Sequence, residues 1–312
     1  VAALKRLGFD KVFDTSITAD LTVIEETHEF INRLQKGEKL PQFTSCCPGW
    51  VKYAEHNGAE LLKNLSSCRS PQQMFGSLVK KHWAQELGKK PEAIVVVSIM
   101  PCTAKKYEAA LPQFATDGVP DVDLVLTTQE LARMIREAGL VFDQLDIESF
   151  DTPFGFTTGA GVIFGTTGGV AEAVLRAAHE FVTGQPIEQI NFEAVRGFDQ
   201  RKEATVEING QTIKVAVVHG LANAKALLEE IKAGKANYHL IEVMACPGGC
   251  IGGAGQPIAT DMETKKRRSK GIYNADKLSQ LRKAQDNPVV AKFYDQWLTK
   301  PNSAKAHEAL HT

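Results

Sequence analysis

The chain has 312 residues, of which 43% are hydrophobic and 23% are charged, a composition typical of a globular protein with a sizeable core. Its formal net charge of -1 excludes the strong basic field that nucleic acid or an anionic membrane surface would attract, so we expect no nucleic-acid partner. No apolar run approaches the roughly 20 residues that a membrane-spanning helix needs, and we expect no membrane span.

The first half of the chain predicts helices alternating with strands. Residues 1–13 are typical of the middle of an amphipathic helix, and from this we expect that the chain is truncated upstream. Residues 19–36 carry apolar side chains at helical spacing and predict a helix. The run IVVVSI at 94–99 predicts a strand buried on both faces, and 122–126 predict a second strand. A capping-box pattern that starts at Thr127 predicts the helix that follows.

The second half of the chain continues the alternation. Gly168 precedes a helical pattern, residues 203–218 predict a hairpin with Asn-Gly at its turn, and a helix near 222–233 leads to a strand at 239–244. Strands that alternate with helices predict an α/β fold with a mostly parallel sheet.

Two of the predicted strands end with the same pattern, a methionine followed two residues later by a cysteine. The first gives Met100 and Cys102, and the second gives Met244 and Cys246. Because ligands in open α/β sheets bind outside the carboxyl ends of strands, two facing lobes would bring both cysteines to one cleft. The sequence therefore predicts a site in the cleft between two lobes of mostly parallel sheet flanked by helices.

The six cysteines could form a disulfide framework, a metal site or both. Disulfide frameworks belong to small, cysteine-dense secreted domains, and this chain is large and poor in cysteine, so we expect no such framework. Four thiolates can hold a [4Fe–4S] cluster or one Zn²⁺ ion. Structural zinc sites usually use two close pairs of ligands, and here only Cys246 and Cys250 are a close pair. The spacing favours the cluster, and zinc stays open.

Glycines accompany the close pair of cysteines and let the backbone approach sulfur and donate hydrogen bonds to it. The peptides that carry this chemistry are TSCCPGW at 44–50, MPCTAKK at 100–106 and MACPGGCIGGAGQP at 244–257.

These three peptides resemble, in the same order, the three signature motifs of the [FeFe]-hydrogenase catalytic domain. The similarity continues through NLSSCRSPQQMFG, TTGAGVIFGTTGGV and the C-terminal YDQWLTKP and AHEALHT, and so covers essentially the whole chain. The resemblance implies one catalytic domain over residues 1–312, with a first lobe at about 40–155, a second lobe at about 156–257 and a C-terminal helical wrap over 258–312.

The resemblance implies an H-cluster, which is a [4Fe–4S] cube joined through one cysteine sulfur to a two-iron unit that carries CO, cyanide and a bridging azadithiolate. Cys250 would be the bridging ligand. The third motif reads GGAG where the family usually has three consecutive glycines, and we expect Ala254 to be tolerated there. The implied ligands of the cube are Cys47, Cys102, Cys246 and Cys250.

The resemblance also implies a proton route whose inner end is the thiol of Cys46. Carboxylates suit such a route if burial raises their pKa toward neutrality. From the residues alone, Glu29 and Arg33 would be a surface ion pair at i,i+4 spacing, and only the resemblance assigns them to the route. The implied members are Cys46, Glu29, Ser66, Glu26 and Arg33.

Further residues are implied around the two-iron unit. Lys105 would donate a hydrogen bond to a cyanide ligand, since an ammonium is a strong donor to an anionic acceptor. Met244 would pack against the same unit, and Met100 belongs either to this pocket or to the plain core. The remaining implied pocket residues are Ser70, Gln72 and Phe164.

The function implied is the reversible reduction of protons to dihydrogen by an iron hydrogenase. An external electron carrier such as ferredoxin and the H-cluster maturation proteins would be its partners. We expect it in the cytoplasm, with the periplasm as the alternative. The rival functions are those of a hydrogen-sensing relative and of a non-catalytic iron–sulfur assembly factor.

Overall fold

The computed structural model describes residues 1–258 and 260–312. These residues form an α/β fold in which helices flank two separate parallel sheet segments. The strands are β1 (Gln42–Phe43), β2 (Val97–Met100), β3 (Ala115–Thr116), β4 (Val119–Pro120), β5 (Leu124–Thr127), β6 (Arg201–Ile208), β7 (Gln211–His219) and β8 (Leu240–Met244). The α-helices are α1 (Ala2–Arg6), α2 (Ser16–Lys36), α3 (Pro48–Asn57), α4 (Pro71–Leu78), α5 (Ala84–Glu86), α6 (Ala104–Ala109), α7 (Thr128–Glu137), α8 (Gly159–Val162), α9 (Gly169–Thr183), α10 (Leu221–Lys232), α11 (Met262–Leu278), α12 (Pro288–Phe293) and α13 (Ala304–Leu310).

The larger sheet has the strand order β1-β8-β7-β6. Strands β1, β8 and β7 run parallel, and β6 pairs antiparallel with β7. The predicted hairpin is confirmed: Asn209 and Gly210 both have positive φ, as a two-residue turn that follows the strand twist requires. The core strand β8 is buried along its whole length, which suits its four apolar side chains. Its remaining residue, Glu242, is also buried and accepts hydrogen bonds from the N–H groups of Gly168 and Ala171.

The smaller sheet pairs β2 with β5 in parallel. The strand predicted at 94–99 begins only at Val97, and the expectation that it is buried on both faces is wrong. Val95 of this run is 66% exposed, and Leu124, which pairs with Val97 from the neighbouring strand β5, is 58% exposed. An apolar run alone does not say which layers cover it, and that is decided by the rest of the fold. The capping box of Thr127 and Glu130 at the start of α7 is confirmed.

Helix α2 runs through the middle of the molecule and packs against α4, α8 and α9. It begins at Ser16, three residues before the predicted start, and ends at Lys36, as predicted, where Gly37 follows with a positive φ. Its buried side chains include apolar Phe30 but also Glu25 and Glu26, which are 0% and 1% exposed. Buried carboxylates are costly unless they are paired or neutral. Their presence indicates that this helix does more than fill the core.

The C-terminal helices cover α2 and α9 through buried polar contacts. Asp276 of α11 accepts two hydrogen bonds from Arg176 of α9, at 2.9 and 3.0 Å. His311, just after α13, lies 3.0 Å from Glu25 of α2. No helix of the described residues is long and apolar enough to cross a membrane.

The lobe boundaries at about 40–155 and 156–257 remain predictions. Strand β1, near the start of the first range, pairs with β8 of the second, so the chain contributes to the larger sheet before it forms the smaller one.

Candidate functional site

A cavity of 1130 Å³ lies where β1, β2 and β8 end. β1 and β8 are parallel neighbours, so the residues that follow them meet at one edge of the larger sheet, and β2 of the smaller sheet ends at the same cavity. The predicted site residues that line this cavity are Cys46, Cys47, Gln72, Met100, Cys102, Lys105, Phe164, Met244, Cys246 and Cys250.

The first and third cysteine peptides are held together by the backbone. The pairing of β1 with β8 brings the peptide that follows Phe43 beside the one that follows Met244. The Ala245 N–H donates to Cys47 Sγ at 3.4 Å, and the Val243 N–H donates to Thr44 Oγ1 at 3.3 Å. The position of Cys47 therefore follows from the sheet register.

The second and third peptides are joined by close backbone packing. The Gly255 N–H donates to the carbonyl oxygen of Pro101 at 3.1 Å. A Cβ added at Gly253 would overlap that same oxygen, and one added at Gly255 would overlap the backbone of Cys102. The glycines thus let the peptides of the protein approach one another, a role that the sequence did not suggest. Ala254 lies between them and is exposed, which explains why its methyl group fits.

The four cysteines are half-buried, and the Lys105 ammonium lies in the same cavity. Burial raises the pKa of Cys47 and Cys246, and it raises that of Cys250 strongly, with the other cysteines adding to the rise. Backbone N–H groups oppose this rise: those of Ala245 and Trp50 face Cys47, and that of Ala254 faces Cys246. Neutral thiols that already have N–H donors are prepared to lose their protons to iron, because metal binding displaces them.

The spread of the cysteines bears on the choice between zinc and a cluster. No group of three or more His, Cys, Asp or Glu side chains in 1–258 and 260–312 is arranged to hold a single metal ion. Four thiols that line one cavity match the ligand number of a cube, which binds one thiolate at each iron corner, and also that of a tetrahedral zinc site. The preference for a cluster therefore rests on the spacing of the cysteines in the sequence.

Lys105 lies in the cavity wall and is 8% exposed. Its ammonium donates to Glu108 Oε1 at 3.1 Å and Oε2 at 2.9 Å, and to the carbonyl oxygen of Cys46 at 3.1 Å. Ser70 and Gln72 also donate to Glu108, at 2.9 and 3.2 Å. Glu108 is the central acceptor of this cluster, although sequence reasoning missed it; its only signal was the i,i+3 spacing from Lys105.

The carboxylate of Glu29 accepts hydrogen bonds from three neighbouring residues. Arg33 Nη2 donates to it at 2.6 Å, Ser66 Oγ donates at 2.7 Å, and the Ser67 N–H donates at 3.1 Å. The pair of Glu29 and Arg33 is nearly buried, with side-chain exposures of 14% and 9%, so the interpretation as a surface ion pair does not apply.

Glu26 has the opposite surroundings. Neither carboxyl oxygen has a hydrogen-bond partner within the described residues, because the nearby Ser66 hydroxyl donates to Glu29. Burial, with the charge of Glu29, raises the pKa of Glu26 to about 8. Burial also raises the pKa of the Cys46 thiol, and the charge of Glu26 adds to this effect. Glu26 and Cys46 are therefore close enough to affect each other electrostatically.

A second cavity, of 800 Å³, opens on the outer side of these groups. It is lined by Glu29, Arg33, Ser66 and Ser70, so Ser70 faces this outer cavity. Of the predicted route residues, Cys46 lines the cysteine cavity, Glu29, Arg33 and Ser66 line the outer one, and Glu26 lines neither. Ser67, which donates to Glu29, and His311, which lies 2.9 Å from Ser67, carry no motif and were missed.

Comparisons with known proteins agree with this geometry. The profile of the family described as iron only hydrogenase large subunit, C-terminal domain, matches residues 1–254, and that of the iron hydrogenase small subunit matches residues 262–312. The apo [FeFe]-hydrogenase HydA1 of Chlamydomonas reinhardtii superposes with a TM-score of 0.88 at 41% sequence identity, over 99% of this chain and 85% of that chain.

Two curated relatives differ in kind. The NADP-reducing hydrogenase subunit HndD of Solidesulfovibrio fructosivorans is 50% identical over 318 residues, which cover 100% of this chain and 54% of that protein. A cytosolic Fe-S cluster assembly factor of Xenopus tropicalis, narfl, is 37% identical over 324 residues, covering 100% of this chain and 67% of that protein. The chain spans about half the length of the hydrogenase relatives that it matches first. With the family profile matched over residues 1–254 and the fold shared with a solved member, the chain belongs to the iron-only hydrogenase family.

Proposed function

We propose that this chain interconverts protons and dihydrogen at an H-cluster. The observation that carries the proposal is that the Cys46 thiol and the Lys105 ammonium line the same cavity as the four cysteines of the three motifs. An iron–sulfur cube alone would need only the four cysteines, whereas a proton reaction also needs a donor beside the metal. When bound, the H-cluster supplies the open metal site and the electrons for the reaction.

The cube would be held by Cys47, Cys102, Cys246 and Cys250, and Cys250 would also bind the two-iron unit with its CO, cyanide and azadithiolate. The three hydrogens of the Lys105 ammonium already have three acceptors within 3.1 Å. A cyanide ligand would therefore accept a hydrogen that also points at Glu108. Met244, Phe164 and Met100 would keep water from the cavity, as apolar side chains do.

The protein would move protons through Cys46, Glu26, Ser66 and Glu29, with Arg33 at the outer end. Because the pKa of Glu26 is raised, this carboxyl group can gain or lose a proton near neutral pH, which an ordinary carboxyl group could not do efficiently. The hydrogen bonds of Glu29 hold its carboxylate in one orientation beside Ser66. Solvent would supply protons through the outer cavity.

An external electron carrier such as ferredoxin would deliver electrons, and maturation proteins would insert the two-iron unit. Helix α11 supports a carrier of acidic character, because its residues 265–270 read KKRRSK. Arg268 donates to the carbonyl oxygen of Ile251 at 2.8 Å, so this basic helix lies directly on the Cys250 loop. The cytoplasmic location, with the periplasm as the alternative, stays a prediction.

A second candidate function is iron–sulfur assembly, favoured by the identity of 37% to the assembly factor over 100% of this chain. Infrared spectra of the iron-loaded chain after maturation separate the two. Bands of metal-bound CO and cyanide are expected for the hydrogenase, and their absence in a folded, iron-loaded sample would favour the assembly factor.

The role of Cys46 has its own test. Cys46→Ala should keep the iron content and the infrared bands but lose nearly all dihydrogen turnover, because an alanine can neither donate nor accept a proton. Cys68→Ala, which removes a buried thiol outside the ligand set, is the matched control and should turn over dihydrogen. Full activity of Cys46→Ala would refute the role.

A further inference from the structure

A chain of hydrogen bonds leaves Glu29 in a direction that the proton route does not use. Ser67 Oγ lies 3.2 Å from Glu29 Oε1 and 2.9 Å from Nδ1 of His311. His311 is the penultimate residue of the chain, yet it is only 4% exposed. The imidazole of His311 is thus connected through one hydroxyl group to the carboxylate of Glu29, which lies 282 positions earlier in the sequence.

Glu25 fixes the tautomer of this imidazole. Its Oε2 accepts the Asn302 N–H at 2.8 Å and faces Nε2 of His311 at 3.0 Å, and its Oε1 accepts the Tyr294 hydroxyl at 2.6 Å. A carboxylate has only acceptors, so an ionised Glu25 accepts a hydrogen from Nε2 of His311 as well as the one from Asn302. The second nitrogen, Nδ1, is then the one that can gain or lose a proton.

The protonation of Nδ1 decides where the Ser67 hydroxyl points. On a neutral imidazole Nδ1 can only accept, so the single hydroxyl hydrogen of Ser67 must point at His311. On a charged imidazole Nδ1 donates to Ser67 Oγ, and the hydroxyl hydrogen is free to point at Glu29. Glu29 therefore has one more donor when His311 is charged than when it is neutral.

We propose that His311 is a positioning residue for the proton route, acting on Glu29 through Ser67, and that Glu29 and His311 share one proton. The inference rests on the proposed function in that it gives Glu29 a role in moving protons. When Glu29 is protonated, its O–H proton passes to Ser67 Oγ while the hydroxyl proton of Ser67 passes to Nδ1. One O–H bond at Ser67 replaces another, an N–H bond forms on His311, and no electrons are transferred.

The surroundings of His311 tolerate this charge. Two carboxylates lie on its Nδ1 and Nε2 sides, while Cys68 Sγ is 3.9 Å from Nδ1 and the ring of His307 stacks on it at 4.0 Å. The guanidinium of Arg69 donates to the backbone oxygen of His311, and its charge is paired with Asp121. The titratable and charged groups that face the imidazole are Glu25, Glu29, Cys68, Arg69, Tyr294 and His307.

Infrared difference spectra of the full, cluster-loaded chain with ¹³C-labelled histidine test the shared proton. The ring bands of one buried histidine should titrate and should disappear in His311→Gln. Glu29→Gln should move this titration to lower pH, because a nearby carboxylate stabilises the charged imidazole. In a Ser67→Ala background the same substitution should shift it much less. An unchanged titration in Glu29→Gln would overturn the proposal.

Two variants separate positioning from anchoring of the C-terminus. His311→Asn places an amide near the position of Nδ1, beside Ser67, and His311→Gln places one near Nε2, beside Glu25. If His311 acts through Ser67, dihydrogen turnover should be about tenfold lower in the Gln variant than in the Asn variant. The Gln variant should nevertheless have the higher melting temperature, because its amide can keep the buried contact with Glu25. The reverse order of turnover would mean that His311 only anchors the C-terminus, and would overturn the proposal.

Failure of this inference is distinguishable from failure of the proposed function. A wild-type chain that evolves no dihydrogen would refute the function, whereas the coupling of His311 to Glu29 would still be decided by the infrared titration. A chain that evolves dihydrogen but shows no coupling would refute this inference alone.

Discussion

The cavity has two walls that are built in different ways. The sulfur wall consists of Cys47, Cys102, Cys246 and Cys250, which all line the cysteine cavity. The acid wall is the group that lies between this cavity and the outer one: Lys105 lines the cysteine cavity, Glu29 and Glu108 line the outer cavity, and Glu26 is buried beside them. The sulfur wall is held by strand pairing, backbone N–H groups and glycines that allow close approach. The acid wall is held by side-chain hydrogen bonds between segments far apart in the sequence and by ion pairs between residues on one helix.

The difference has an energetic consequence. The sulfur wall should lose stability when a side chain is added, because the protein interior is close-packed. The acid wall should lose stability when one partner of a buried pair is removed, because the remaining charge is left uncompensated. The two walls should therefore respond to opposite kinds of substitution.

The largest effect is expected for the sulfur wall. Cys250→Ala removes one of four thiolates and should abolish binding of an intact cluster, which elemental analysis and the visible absorption of the anaerobic protein would measure. Cys68→Ala is the matched control, since Cys68 is buried but lies outside the sulfur wall, and it should retain its iron. Retention of full iron by Cys250→Ala would contradict the ligand assignment.

The acid wall should respond next to the loss of a charge. Lys105→Met leaves Glu108 buried without its cation and should lower the free energy of unfolding by about 3–5 kcal/mol. Denaturant unfolding would measure this. Lys106→Met, on the same helix, removes an exposed ion pair with Glu130 and should leave stability nearly unchanged. Equal losses in the two variants would mean that burial of the Lys105 pair does not matter.

Adding one methyl group should damage the sulfur wall. Gly253→Ala places a Cβ on the carbonyl oxygen of Pro101 and should cost about 3 kcal/mol by overpacking. Gly271→Ala has open space around its Cβ and serves as the control. Ala254→Gly, at the exposed neighbouring position, should change neither stability nor iron loading. A harmless Gly253→Ala would show that the peptides can separate.

The smallest effect concerns the pH dependence of the acid wall. The pKa of Glu26 is raised in the folded protein to about 8, so its stabilising contribution is present below about pH 4.5 and is lost as pH rises toward and through 8. Between about pH 6 and pH 8 the wild type should therefore lose about 2 kcal/mol of stability through Glu26. Glu26→Gln cannot titrate and should not show this loss. Melting temperatures across this range measure it, with exposed Glu188→Gln as the control. Parallel curves for Glu26→Gln and the wild type would contradict the raised pKa.

The two walls also differ in how far sequence reasoning could reach them. The cysteines stand in short peptides, and their positions after strands β2 and β8 could be predicted from local patterns. Glu26, Glu29 and Arg33 were reached only through a family resemblance, because acidic residues at helical spacing are common on exposed helices. Glu108, Ser67 and His311 were missed, since a carboxylate, a hydroxyl and an imidazole without a motif give no local signal.

By itself, the sequence determined the α/β alternation, the hairpin turn, the capping box and the four cysteines with their glycines, because these depend on backbone conformation and local hydrogen bonds. Only the tertiary structure decided that 94–99 is partly exposed, that the glycines pack peptide against peptide, and that Glu26 lacks hydrogen bonds while Glu29 has several. Burial and pairing depend on neighbours supplied by distant parts of the chain. Glu29 and Ser66 are 37 residues apart, and Glu25 and His311 are 286 apart, so their properties exist only once the chain has folded.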